Sequence, residues 1–233
     1  MARVFGINIP RRLNRKLAVI LGCMLVVFVF LRLVDNSIDN DEEWYKHPEA
    51  FFKEPPCDHD EYTQKLFEEL TEKMSQMLDK LEITYFLCYG SLWGALKFQK
   101  TLPWDRNIDM CVIYHQLAAI DETKLYQAFK QADLNYYYNS RRGKYVVSYK
   151  TVSAEITVFE KIGTHVERIG WEKRIFPHLY LKYQNFPYQL VDRELTRIKF
   201  NNLNVPVPHQ EYEIQKYFYP DNWWKEVKPR GCI

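Results

Sequence analysis

From Leu17 to Leu31 the chain carries no charged residue, and Leu33 and Val34 extend the apolar run if Arg32 snorkels to an interface. A bilayer core about 30 Å thick is crossed by roughly 17 to 25 helical residues. Residues 17–34 are therefore expected to form one N-terminal transmembrane helix, at the short end of that range. The flanks set its direction. Arg3, Arg11, Arg12, Arg15 and Lys16 precede the run with no acid among them, whereas Asp35, Asp39, Asp41, Glu42 and Glu43 follow it. The positive-inside rule puts residues 1–16 in the cytosol as a basic tail and the remainder in a lumen, a single-pass type II arrangement with an uncleaved signal anchor. A cleaved signal peptide would need small residues three and one positions before the cut, and no such pair stands out around Leu33 to Ile38. A buried core helix is the other alternative.

Composition narrows the class. Of 233 residues, 47% are hydrophobic and 16% aromatic, which excludes a disordered chain and allows a sizeable core. Thirty-two Lys and Arg against 30 Asp and Glu leave too little excess charge for general nucleic-acid binding, so no nucleic acid is expected as a partner. In an oxidising lumen Cys57, Cys88, Cys111 and Cys232 could form disulfides, in any of three pairings that spacing does not choose among.

Residues 35–57, acidic and then punctuated by Pro48, Pro55 and Pro56, read as a stem, and residues 58–233 as the luminal domain. Leu66, Phe67, Leu70, Met74, Met77, Leu78 and Leu81 recur at spacings of three and four and predict an amphipathic helix over 60–81. Short β-branched or aromatic runs predict strands over 83–89, 110–114, 134–138, 144–149 and 154–160. Helical turns are expected over 92–98, 121–132 and 211–219. Beyond residue 160 the periodicity weakens. This alternation points to an α+β domain, a mixed sheet with flanking helices. Arg141, Arg142 and Lys144 read as a solvated hairpin tip, with contact to a nucleotide as the alternative, and Trp223 with Trp224 as packing residues, with stacking on sugars as the alternative.

The chemistry is concentrated in Tyr89–Lys97 and Leu102–Met110. A Gly90-Ser91 turn after a buried strand exposes backbone N–H groups beside a helix N-terminus, a place for phosphate. Asp105 and Asp109 at the mouth of the next strand, with Glu155 on a later one, are carboxylates that can converge on Mg²⁺ or Mn²⁺ for phosphoryl transfer.

These segments resemble the LicD family of phosphotransferases, which includes fukutin and fukutin-related protein. The likeness runs through Gly90, Ser91, Leu92, Gly94, Ala95 and Lys97, then Pro103, Trp104, Asp105, Ile108 and Asp109. It continues through Glu155, Phe186-Pro187, Val205-Pro206-Val207-Pro208, Tyr217 to Pro220 and Trp223-Trp224. The resemblance implies a nucleotidyltransferase-like fold. It also implies transfer of a phospho-alditol such as ribitol 5-phosphate, or a related phospho-unit, from a CDP-activated donor to a glycan hydroxyl. The setting implied is the Golgi or ER membrane, among other glycosylation enzymes.

On that reading Asp109, Asp105 and Glu155 are catalytic, and Gly90, Ser91, Lys97 and Arg106 bind the donor. Asp105, Asn107, Asp109 and Glu155 would hold the metal. Two departures bear on it. Asn107 stands where the family has an acid, with Arg106 beside it, and Glu155 stands where the family has Asp. A neutral amide and a guanidinium weaken a divalent cation site. The readings left open are an active enzyme, one with weak metal dependence, and a silent relative that binds glycan or a partner.

Overall fold

In the computed structural model the residues described are 3–4, 7–8, 16, 18–29, 57–177, 183–225, 228 and 232. The chain divides into two compact units, Met1–Glu54 and Pro55–Ile233. In the first, Arg3–Val4 and Ile7–Asn8 form an antiparallel pair, and residues 18–29 are helical with Val19, Leu25 and Val26 exposed. Among the described residues no helix is long and apolar enough to cross a membrane. Residues 17 and 30–34 of the expected span, and all of the expected stem except Cys57, lie outside the described residues.

The second unit begins with α1, Glu61–Lys80. Asp60 caps it, its carboxylate accepting from the Thr63 N–H at 2.6 Å, and Lys80 sits in the last turn where the helix dipole favours a cation. Leu66, Phe67, Leu70, Met74, Met77 and Leu78 are buried, so the apolar stripe is the face that packs. The main sheet has seven strands: β1 (Tyr85–Leu87), β2 (Asn107–Ile113), β3 (Asn135–Asn139), β4 (Lys144–Tyr149), β5 (Val152–Ile162), β6 (His165–Arg168) and β7 (Asn185–Pro187). Its path runs β1-β2-β5-β4-β3, with β6 joined to β5 and β7 to β6. Only β2 and β5 pair in parallel, which makes the sheet mixed and the domain α+β.

Helix α2 (Tyr89–Phe98) connects β1 to β2, and the short α3 (Tyr114–Ala118) and α4 (Glu122–Gln131) follow β2. A separate antiparallel ladder, β8 (Thr196–Phe200) with β9 (Leu203–Val207), precedes α5 (Glu211–Phe218). Asn201, at the turn of that ladder, is buried with its amide fully used. It donates at 2.9 Å to both Thr71 and Thr101 hydroxyls and accepts from the Thr101 N–H at 2.9 Å. A buried side chain this well satisfied holds α1 and the loop leading to Asp105 in one arrangement. The cysteine pairing is Cys57 with Cys232 and Cys88 with Cys111.

The turn from β3 to β4 depends on Gly143. Its φ is +62°, and a Cβ there would overlap the Ile169 carbonyl. Gly143→Ala is therefore expected to cost about 2 kcal/mol or more in a denaturant titration, from left-handed strain and overpacking together.

Candidate active site

Period-two alternation and strand register assemble the site. Asp109 on β2 lies opposite Glu155 on β5, and Glu155 opposite Val146 on β4. Lys144 pairs with Thr157, two residues along from Glu155, so Asp109, Glu155 and Lys144 project from one face of the sheet. The opposite face carries the buried Ile108, Met110, Ala154 and Ile156. Strand β2 starts at Asn107, so Asp109 sits inside the strand rather than at its mouth.

Helix α2 begins at Tyr89, earlier than the expected 92, and this places Gly90 and Ser91 in its first turn. Tyr89 has φ +48°, a left-handed conformation uncommon for a bulky residue. It is held by its ring on Phe218, centroids 4.3 Å apart, and by its hydroxyl donating to Gln184. Such local strain is often stored beside functional groups.

Ser91 is fully buried, and its Oγ accepts from the Asp109 backbone N–H at 2.7 Å. The hydroxyl therefore positions the Asp109 backbone, a role the sequence did not suggest. Gly90 lines a cavity beside Asp105, and a Cβ at this position would collide with Asp105 Oδ2. A side chain here would push the Asp105 carboxylate aside.

Two cavities meet at Tyr219. One, about 420 Å³, is lined by Gly90, Trp93, Lys97, Trp104 and Asp105. The other, about 500 Å³, is lined by Asp109, Arg142, Lys144, Glu155 and Arg168. Both are of a size that accepts small ligands. A cavity of about 700 Å³ elsewhere, lined by Asp79, Arg193 and Arg197 among others, shares no residue with them. Lys97 is exposed, its Nζ 5.1 Å from the centroid of the Trp93 ring. Arg106 is exposed and lines neither cavity at the site, so the expectation that it binds the donor finds no support.

The electrostatics are those of crowded acids. Burial pushes the Asp105 carboxyl up to about 6, and its Oδ2 is buried with no hydrogen-bond partner. Asp109 is raised well above the usual carboxylate range, first by burial and then by repulsion from Glu155 and Asp105. Lys144 and the Asn107 hydrogen bond oppose that rise. Tyr219 is raised too, by burial and by the neighbouring acids and Tyr89.

Among the residues expected to hold Mg²⁺ or Mn²⁺, Asp105, Asn107, Asp109 and Glu155, two of the acids are engaged by neighbouring side chains. The Asn107 amide points its Nδ2 at Asp109 Oδ1, donating at 2.7 Å, and Glu155 Oε1 accepts from Lys144 Nζ at 2.6 Å. The Asn107 N–H donated to Asp109 Oδ1 uses one lone pair of that carboxylate. Among the described residues no group of three or more His, Cys, Asp or Glu side chains is arranged to hold a metal.

Sequence reasoning singled out Lys144 within a basic turn but not its burial or its pairing with Glu155. Read as a solvated tip, the lysine is 5% exposed and ion-paired, and Arg141 is buried as well. The signal available was its place two residues before Val146 on an alternating strand. Trp224, read as packing, is 64% exposed.

The family model for the LicD/FKTN/FKRP nucleotidyltransferase domain matches residues 82–210. No curated protein matches the sequence. Among solved structures, a crystal structure described as a candidate nucleotidyltransferase from Thermotoga maritima is 14% identical. The match covers 68% of this chain and 88% of that one at a TM-score of 0.35, too low to bear on function. The family match takes in more than half of the chain, including Gly90, Ser91, Asp105, Asp109, Lys144 and Glu155, and on that ground the chain belongs to the LicD/FKTN/FKRP nucleotidyltransferase-domain family.

Proposed function

We propose that the protein is a LicD-type phosphotransferase of the secretory pathway, moving a phospho-alditol or related phospho-unit from a CDP-activated donor to a glycan hydroxyl. The observation that carries this reading is the meeting of Asp105, Asp109 and Glu155 between two ligand-sized cavities. The cavity with Arg142, Lys144 and Arg168 suits the diphosphate of the donor, because guanidinium and ammonium groups pair with phosphate oxygens. Its neighbour, with Trp93 and Trp104, suits a sugar laid on aromatic faces.

In the reaction the acceptor oxygen forms a bond to phosphorus as the bond from phosphorus to the CMP oxygen breaks. Asp105, with a carboxyl near 6, is ionised at neutral pH and basic enough to take the proton that the hydroxyl loses. Glu155 is ion-paired with Lys144, its Oε1 2.6 Å from the ammonium. Anchoring in the Golgi or ER membrane through residues 17–34 is part of the proposal, supported by the basic start, the uncharged run and the acids that follow. The two disulfides suit an oxidising lumen.

A second reading, a silent relative that binds glycan or a partner, is favoured by the way Asn107 and Lys144 engage the acids. Calorimetric titration of CDP and CDP-ribitol into the full chain in detergent separates the two. Binding by the wild type, with transfer in a parallel assay lowered about 10²- to 10⁴-fold by Asp105→Asn, is the outcome expected of an enzyme. A folded chain that binds neither nucleotide would remove the enzyme reading.

A further inference from the structure

Lys144 has a position no charged residue takes without compensation. It is 5% exposed at the start of β4, its Nζ 2.6 Å from Glu155 Oε1, and it lines the same cavity as Asp109 from the same face of the sheet. An ammonium removed from water this far is held by the acids around it, and they by it. The turn before it is anchored as well. The Gly143 carbonyl accepts from the Val158 N–H at 3.0 Å, and Arg168 Nε donates to the Arg142 carbonyl at 2.6 Å.

The ammonium therefore stands among the carboxylates where a divalent cation would otherwise sit. Asn107 donates to Asp109 Oδ1 at 2.7 Å. We infer that Lys144 is the resident cation of this site, so that Asp109 and Glu155 take up no divalent metal and an anionic group entering the cavity is met by the ammonium, with Arg142 and Arg168 on the same wall. The lysine's occupation of the metal position stands on geometry alone. Its use against a nucleoside diphosphate rests on the function proposed above.

The test uses the full chain in detergent and two probes, Mn²⁺ alone followed by electron paramagnetic resonance, and CDP followed by calorimetry. The wild type is expected to take up no Mn²⁺ at concentrations that saturate Lys144→Gln, because the substitution frees the acids for the metal. Mn²⁺ binding by the wild type, lost or unchanged in Lys144→Gln, overturns the inference. With CDP, the wild type is expected to bind equally in EDTA and in Mg²⁺. Lys144→Gln is expected to lose about tenfold or more in EDTA and to recover when Mg²⁺ is added.

A wild type that needs Mg²⁺ to bind CDP overturns the inference too, whereas no CDP binding in either buffer removes the proposed function and leaves the Mn²⁺ titration to decide the lysine. Should Lys144→Gln fail to fold, Lys144→Arg replaces it. That variant keeps the charge and is expected to bind CDP without metal and still to exclude Mn²⁺; uptake of Mn²⁺ by Lys144→Arg would count against the inference.

Discussion

Asp105→Asn is expected to make the protein more stable at pH 7 while impairing the proposed transfer. The carboxyl rises from 3.8 to about 6 because burial disfavours its charged form, and nothing donates to Oδ2 in return. Well below 3.8 folded and unfolded chains both hold the proton and no penalty exists. Between pH 4 and pH 6 the unfolded chain ionises first, so stability falls as pH rises, by about 3 kcal/mol for a shift of this size. Above pH 6 the loss is complete and constant. An amide removes the charge but leaves an unpartnered polar group in the same place, offsetting about 1 kcal/mol. Urea titrations at pH 4 and pH 7 should thus show the variant gaining on the wild type by about 2.5 kcal/mol across the interval, with a net advantage near 2 kcal/mol at pH 7. A variant that tracks the wild type at both values would show that Asp105 is not desolvated in the folded chain.

The second large effect is that of the disulfides. Cys57–Cys232 spans 175 residues, and in the chain-entropy account a loop of that length restricts the unfolded chain by about 5 kcal/mol. Cys88–Cys111 spans 23 and is worth about 3 kcal/mol on the same account. Denaturant midpoints of Cys57→Ser with Cys232→Ser, and of Cys88→Ala with Cys111→Ala, are expected to fall in that order. The shorter bridge has a further duty: Cys88 donates its N–H to the Asp109 carbonyl at 3.2 Å, so its removal should loosen the acid's backbone. If its loss costs more than that of the long bridge, packing of the two fully buried cysteines outweighs chain entropy.

Much of this architecture is legible in the chain because local patterns dictate it. Helix α1 is announced by Leu66, Leu70 and Met74 at spacings of four, and β5 by the alternation around Ile156 and Val158. Asp105, Asp109 and Glu155 are legible as acids within a recognisable arrangement of motifs. What stays hidden is whatever register decides. Lys144 follows the polar turn Asn139–Gly143 and reads as solvated until β4 is laid against β5, when it falls beside Glu155. The Gly90-Ser91 turn reads as a place for phosphate, and the bond of Ser91 Oγ to the Asp109 amide shows only in the fold. The β8–β9 ladder escapes notice because Pro206 interrupts its second strand; the prolyl ring has no N–H for a ladder, which confines it to places such as this two-stranded edge.

The unlike partners of Glu155 differ in how far along the chain they lie. Lys144 reaches it across a hairpin with a short turn, while Asp109 reaches it only through the parallel pairing of β2 with β5, which needs a long crossover through α4, β3 and β4. Loop-closure entropy favours the shorter connection, and parallel strands are slow to pair. A chain assembling in that order brings the ammonium to Glu155 before the second carboxylate arrives, and the two acids are never asked to come together across a gap without a cation between them.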